Sequence, residues 1–102
     1  MAEDHSLPVC IIPAYNEEAT VAGIAGLAAA HPGIGRVVVV DDGSSDLTSE
    51  RAASIEGVEI VRLEPNRGKG AAMHAGIEAT DEPVILFLDA DLTNLKPKHI
   101  AD

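Results

Sequence analysis

Asp89 and Asp91 stand one residue apart, where the apolar run Val84-Ile85-Leu86-Phe87-Leu88 gives way to polar chain. Two carboxylates at that spacing can approach one hard cation, Mg2+ or Mn2+, with phosphate oxygens completing the shell. A solvated acidic loop after a strand fits the same residues. A second acidic pair, Asp41 and Asp42, follows Val37-Val38-Val39-Val40. A carboxylate beyond a strand end can accept from a base N–H or a ribose hydroxyl, while Gly43, Ser44, Ser45 and Asp46 also suit a plain turn and cap. Asn66-Arg67-Gly68-Lys69-Gly70 sets glycines beside cationic side chains ahead of a helix, which makes either an anion seat or a glycine turn with solvated bases. It has neither the Walker nor the dinucleotide-binding glycine spacing. Pro13-Ala14-Tyr15-Asn16-Glu17 offers amide groups, an aromatic ring and a carboxylate, or a simple helix cap. His5, His31, His74 and His99 lack paired ligand spacing and read as surface or capping residues.

These loops need a scaffold that brings them together, and the hydrophobic pattern supplies one. Leu7 to Ile12 predicts a first strand ended by Pro13. Asn16 is expected to cap a helix whose dipole Glu17 and Glu18 complement, with Val21, Ile24, Ala25, Leu27 and Ala28 at helical spacing and His31-Pro32-Gly33 as its stop. Val37 to Val40 is a second strand, followed by a short helix from about Leu47 to Ser54. Val58 to Leu63 alternates, as an edge strand does. A helix from about Ala71 to Ala79 precedes the fourth strand, Val84 to Leu88, expected to be buried on both faces. Thr93 to Asp102 holds what reads as the first turn of another helix. Such alternation predicts an α/β, three-layer sandwich around a mostly parallel four-stranded sheet of order 3-2-1-4, with the carboxyl ends of its strands on one rim.

Composition narrows the partners. The chain has 102 residues, 46% of them apolar, and only Tyr15 and Phe87 as aromatics. A single domain is expected, with residues 1–6 frayed, burying roughly two-thirds of the surface its unfolded chain exposes. Seventeen acids against seven bases give a formal charge of -10, which disfavours nucleic acid and anionic membranes as partners. A nucleotide is still admitted, because a metal, a lysine and backbone amides can meet its phosphates. Cys10 is the only cysteine, so no disulfide framework is expected and a reducing, cytoplasmic setting is. No apolar run approaches the roughly 20 residues of a membrane span, and the opening residues do not read as a signal peptide.

Taken together, Pro13-Ala14-Tyr15-Asn16-Glu17-Glu18, Val39-Val40-Asp41-Asp42-Gly43-Ser44-Ser45-Asp46, Asn66-Arg67-Gly68-Lys69-Gly70-Ala71-Ala72 and Phe87-Leu88-Asp89-Ala90-Asp91-Leu92 resemble the family 2 nucleotide-sugar glycosyltransferases of the GT-A, Rossmann-like fold. The branch is the one similar to dolichol-phosphate mannosyltransferases and glucosyl-phosphoglycerate synthases. That resemblance implies a UDP- or GDP-sugar donor, Mg2+ or Mn2+ as cofactor and inverting hexosyl transfer. By it, Pro13, Ala14, Tyr15 and Glu17 would line the nucleoside, with Asp41 beside them and Asp42 reading the base edge. Lys69 would approach the base or diphosphate with Gly70 beside it, Ala90 would lie against the donor, and Asp89 and Asp91 would hold the metal.

The family's chain continues past the Asp-x-Asp to supply the acceptor pocket and a general base. The expectation here is therefore an amino-terminal donor-binding half with no catalytic base of its own, incomplete for transfer and paired as a homodimer through a sheet edge or uncovered helix faces. A non-catalytic nucleotide-sugar-binding or regulatory module is the alternative. A nucleotidyltransferase is a third reading, set back by Pro13-Ala14-Tyr15 where such enzymes carry a glycine-rich loop.

Overall fold

A computed structural model describes residues 7–91. The expected fraying of residues 1–6 and the helical turn from Thr93 to Asp102 lie outside them. The elements alternate as β1 (Val9–Ala14), α1 (Val21–Ala30), β2 (Arg36–Asp42), α2 (Thr48–Ala53), β3 (Val58–Leu63), α3 (Lys69–Glu78) and β4 (Ile85–Phe87). All pairings are parallel, in the order β3-β2-β1-β4. The sequence leads there because β1 and β2 are nearly unbroken runs of Val and Ile, which suit a strand covered on both faces.

Strand alternation sorts those residues into two cores. Cys10, Ile12, Ala14, Val37 and Val39 pack under α1 and Ala52 of α2, while Val9, Ile11, Val38 and Val40 face Ala72 and Ala75 of α3. These are the three layers. The third layer sits close: a Cβ on Gly76 would come within 2.5 Å of Ile11 Cγ2, so α3 lies against β1 only because that position has no side chain.

Several local expectations change. β1 runs through Pro13 to Ala14 because Val9 donates to the Val84 carbonyl and Leu88 donates to that of Ile11. Odd positions of β1 therefore face β4, which pairs only with Val9 to Ile11, and the N–H that proline lacks falls where the ladder has ended. Asn16 does not cap α1. It takes a left-handed conformation, φ 52°, a turn follows it, and the helix starts at Val21 with Thr20 before it. The α3 helix begins at Lys69, two residues earlier than expected.

The largest correction concerns β4. It is three residues long and only part-covered, with Val84 48%, Leu86 43% and Phe87 41% exposed. Its apolar run fits a strand buried on both faces, but it pairs only with β1 among the described residues, and that leaves both faces half open. At the other edge, β3 alternates as expected, and its exposed Glu59 and Arg62 are the kind of charged residue that guards an edge. At the rim opposite the loops, Arg36 binds Glu59 at 2.7 Å and Glu82 at 3.1 Å, tying β2 to β3 and to the segment before β4.

Candidate functional site

The loops after β1, β2 and β4 and the segment leading into α3 meet on the carboxyl rim of the sheet, where parallel strands place their ligand sites. They enclose a cleft of about 290 Å3. One wall is Pro13, Ala14, Tyr15 and Glu17; the other is Asn66, Gly68, Lys69 and Ala72; Asp42 forms the floor and Asp89 the rim. Asp41, Gly70, Ala90 and Asp91 are not among the residues that line it.

Asp41 and Asp42 are neighbours on β2 and therefore point to opposite faces. Asp41 is fully buried and lies on the α2 side, where it accepts from the Ser44 amide at 2.9 Å, from the Ser49 hydroxyl, and from Arg62 Nη1 at 2.7 Å. Burial pushes its carboxyl up, but the Ser44 and Ser49 hydrogen bonds and the Arg62 charge outweigh that and hold it below the ordinary value. This carboxylate is part of the scaffold.

Asp42 is 3% exposed and faces the cleft. Its Oδ1 accepts from the Arg67 amide at 2.8 Å, and its Oδ2 accepts from the Gly68 amide at 2.8 Å and Asn66 Nδ2 at 2.9 Å. The residue thus fixes the wall that carries Lys69 into place. Gly43 makes the crossing possible: at φ +74°, a Cβ there would sit 2.5 Å from the Asn66 amide nitrogen.

The acids of the rim are held in turn. The Asp91 amide donates to Asp89 Oδ1 at 3.0 Å, and the Thr20 hydroxyl donates to the Ala90 carbonyl at 2.5 Å, so α1 anchors the buried middle of Asp89-Ala90-Asp91. Glu17 shares their electrostatic field. Burial and then the charges of Asp91, Asp89 and Asp46 push its carboxyl up, against the pull of Lys69. Among the described residues no group of three or more His, Cys, Asp or Glu side chains closes a metal cage. A cation that took one or two carboxylates here would draw its other oxygens from a bound phosphate, as Mg2+ commonly does. Concentrated negative charge beside the cleft is what such a cation would relieve.

The sequence from Pro13 to Glu17 suits either amides offered to a ligand or a plain cap for α1. Instead the N–H groups of Asn16 and Glu17 are bonded to Ser44 Oγ at 2.8 Å and Thr48 Oγ1 at 2.9 Å. Asn66, Gly68 and Ala72 join the cleft without having been singled out one by one. Asn66 and Gly68 stand in the glycine-rich segment ahead of α3, and for Ala72 the signal is helical spacing, one turn on from Lys69 on the same face. The histidines play no part among the described residues: His31 Nδ1 accepts from the Gly33 amide, and His74 lies 3.7 Å from Glu78.

Comparisons with known proteins agree with this fold. The sequence profile described as glycosyl transferase family 2 matches residues 9–100. The dodecaprenyl-phosphate galacturonate synthase of Rhizobium johnstonii is 37% identical over 99 residues, covering 88% of this chain and 29% of its own. The undecaprenyl-phosphate 4-deoxy-4-formamido-L-arabinose transferase of Aeromonas hydrophila is 38% identical over 100 residues, covering 89% and 31%. Among solved structures, mannosyl-3-phosphoglycerate synthase from Rubrobacter xylanophilus superposes with a TM-score of 0.76 at 31% identity, over 91% of this chain and 33% of that one. Glucosyl-3-phosphoglycerate synthase from Mycobacterium tuberculosis, crystallised with Mn2+, UDP and glucosyl-3-phosphoglycerate, gives 0.73 at 29% identity, over 83% and 33%. The same enzyme has been crystallised with Mg2+ and UDP. The chain spans about a third of the length of the relatives it matches.

Proposed function

The chain belongs to glycosyl transferase family 2, and from that membership we propose that residues 1–102 form one donor-binding domain for a nucleoside-diphosphate sugar and a divalent cation. One observation carries the reading: Glu17, Asp42, Lys69 and Asp89, from four separate segments, line a single cleft on the carboxyl rim. A solved neighbour was crystallised with UDP and Mn2+, and UDP- or GDP-sugars are the donors we propose here.

In this reading Pro13, Ala14 and Tyr15 cover the nucleoside and Glu17 lies beside the ribose or base. Asp42 reads the base edge from the floor. A carboxylate has about four lone-pair sites, and the chain occupies three of them at Asp42, two on Oδ2 and one on Oδ1. The remaining acceptor on Oδ1 can take a base N–H. Lys69 and the amino terminus of α3 face the diphosphate, where both offer positive potential. Asp89 and Asp91 hold Mg2+ or Mn2+, whose chemistry would be to stabilise charge on the departing diphosphate. The reaction we propose for the complete catalyst is inverting hexosyl transfer; for these 102 residues it is donor binding without turnover of their own. A non-catalytic nucleotide-sugar-binding or regulatory module is the second reading, and binding without sugar-nucleotide hydrolysis is what would favour it.

Two further assignments belong with it. A second copy of the chain is the partner proposed for the β4 edge, because Val84, Leu86 and Phe87 stay 48%, 43% and 41% exposed there. The single cysteine, Cys10, is free and buried, and a chain without disulfides suits the reducing, cytoplasmic setting we propose; among the described residues no helix is long and apolar enough to cross a membrane. Titration calorimetry with UDP-glucose and GDP-mannose, with and without Mn2+, tests the site: one of them binds, more tightly with the metal, and silence from both removes the reading. Sedimentation equilibrium tests the pairing, for which a monomer throughout the concentration range counts against a second copy.

A further inference from the structure

Three consecutive backbone N–H groups on the loop that leads into α1 end on side chains of one other loop. Asn16 donates to Ser44 Oγ at 2.8 Å, Glu17 to Thr48 Oγ1 at 2.9 Å and Glu18 to Asp46 Oδ2 at 3.3 Å. The acceptors alternate along the sequence at positions 44, 46 and 48, and two bonds return the other way: Ser45 amide to Asn16 Oδ1 and Leu47 amide to Glu18 Oε1, each 3.0 Å. At the centre of this seam Thr48 is fully buried. Its hydroxyl donates to Asp46 Oδ1 while accepting from Glu17, so one oxygen couples the cleft-lining loop to α2.

We propose that Thr48 is a positioning residue for the donor site, setting through the Glu17 amide where the Tyr15 to Glu17 wall stands. It rests on the reading of the cleft as the nucleotide site. Thr48 does not line the cleft, yet Tyr15 and Glu17 do, and Asn16 between them makes the left-handed turn, open to asparagine, at which the N–H groups of Asn16 and Glu17 reach Ser44 and Thr48. Removing the hydroxyl leaves the Glu17 N–H without its buried partner, while Asp46 Oδ1 keeps the Thr48 amide, and the unpaired N–H favours movement of the wall.

The pair Thr48→Val, of the same shape without the hydroxyl, and Thr48→Ser, which keeps it, separates the role from packing. For Thr48→Val we expect UDP affinity in Mn2+ to fall roughly tenfold and the Glu17 amide to lose its protection from hydrogen exchange. Thr48→Ser should retain both. Ile24→Val, in the α1 core, controls for lost stability and should leave affinity unchanged. The proposal is overturned if Thr48→Val keeps the affinity or the Glu17 protection, if Thr48→Ser is as impaired as Thr48→Val, or if Ile24→Val loses as much affinity. Should Thr48→Val not fold, Ser44→Ala carries the same expectation one residue earlier, at the Asn16 amide. A wild-type chain that binds neither UDP nor GDP overturns the reading of the cleft instead, and exchange at Glu17 still decides the role of Thr48.

Discussion

Asp41 and Asp42 share a strand end and a residue type, and the fold uses them in opposite ways. Asp41 faces α2, where the Ser44 amide, the Ser49 hydroxyl and the Arg62 guanidinium hold it and Arg62 pairs its charge. Asp42 faces the cleft, where it is held by neutral donors, the amides of Arg67 and Gly68 and the Asn66 side chain. Each anchors one wall: Asp42 directly, and Asp41 through Ser44, which receives the Asn16 amide. The difference teaches that an acid at a strand end is read by the donors around it. One whose charge is paired with a cation of its own chain is scaffold; one held by neutral donors beside a cleft can offer its charge to what enters there.

The contrast can be broken by experiment. On the ligand side, Asp91→Asn should cut UDP affinity in Mn2+ by about 100-fold with the unfolding midpoint unchanged, since Asp91 lies beyond the end of β4. Calorimetry beside thermal unfolding checks this, and unchanged affinity removes the metal assignment. On the scaffold side, Asp41→Ala should cost about 2–3 kcal/mol in urea unfolding, a charged hydrogen-bond network lost at a fully buried position and discounted because Arg62 is partly solvated. Equal stability would mean that Asp41 is not the anchor its contacts describe.

Asp42→Ala sharpens the comparison, with a loss of about 2 kcal/mol in UDP affinity, roughly 30-fold, both with and without Mn2+. A loss seen only with the metal would move Asp42 from base to cation. The smallest effect is on acid stability. The Asp41 carboxyl is held below its ordinary 3.8 in the folded chain, so its contribution is present above that value and is lost as pH falls through the lower, folded one. Urea unfolding between neutral pH and pH 3 should therefore show a shallower acid slope for Asp41→Asn than for wild type, and parallel slopes would contradict the assignment.

Much of the scaffold could be read from the residues. The Val and Ile runs of β1 and β2 have no other good use than the middle of a parallel sheet, and short connections leave few ways to order four strands. β4 misleads for the same reason, because an apolar run reports what a strand can bury and not how much neighbouring chain covers it. The site was legible as a set of loops at one rim. Its internal wiring was not: the bonds joining residues 16–18 to residues 44–48 span about thirty positions of sequence and depend on how two loops cross.

Pattern and composition were enough for the α/β class, the strand order and the gathering of acids on one rim, since hydrophobic periodicity and the handedness of crossovers are local properties that survive in any compact arrangement. Which of two adjacent aspartates meets the cleft is another kind of question. Alternation says that Asp41 and Asp42 point apart, but the answer waits on where α2 and α3 pack and on Arg62 arriving from a neighbouring strand. Contacts between segments distant in sequence carry that information, and no stretch of the chain contains it separately.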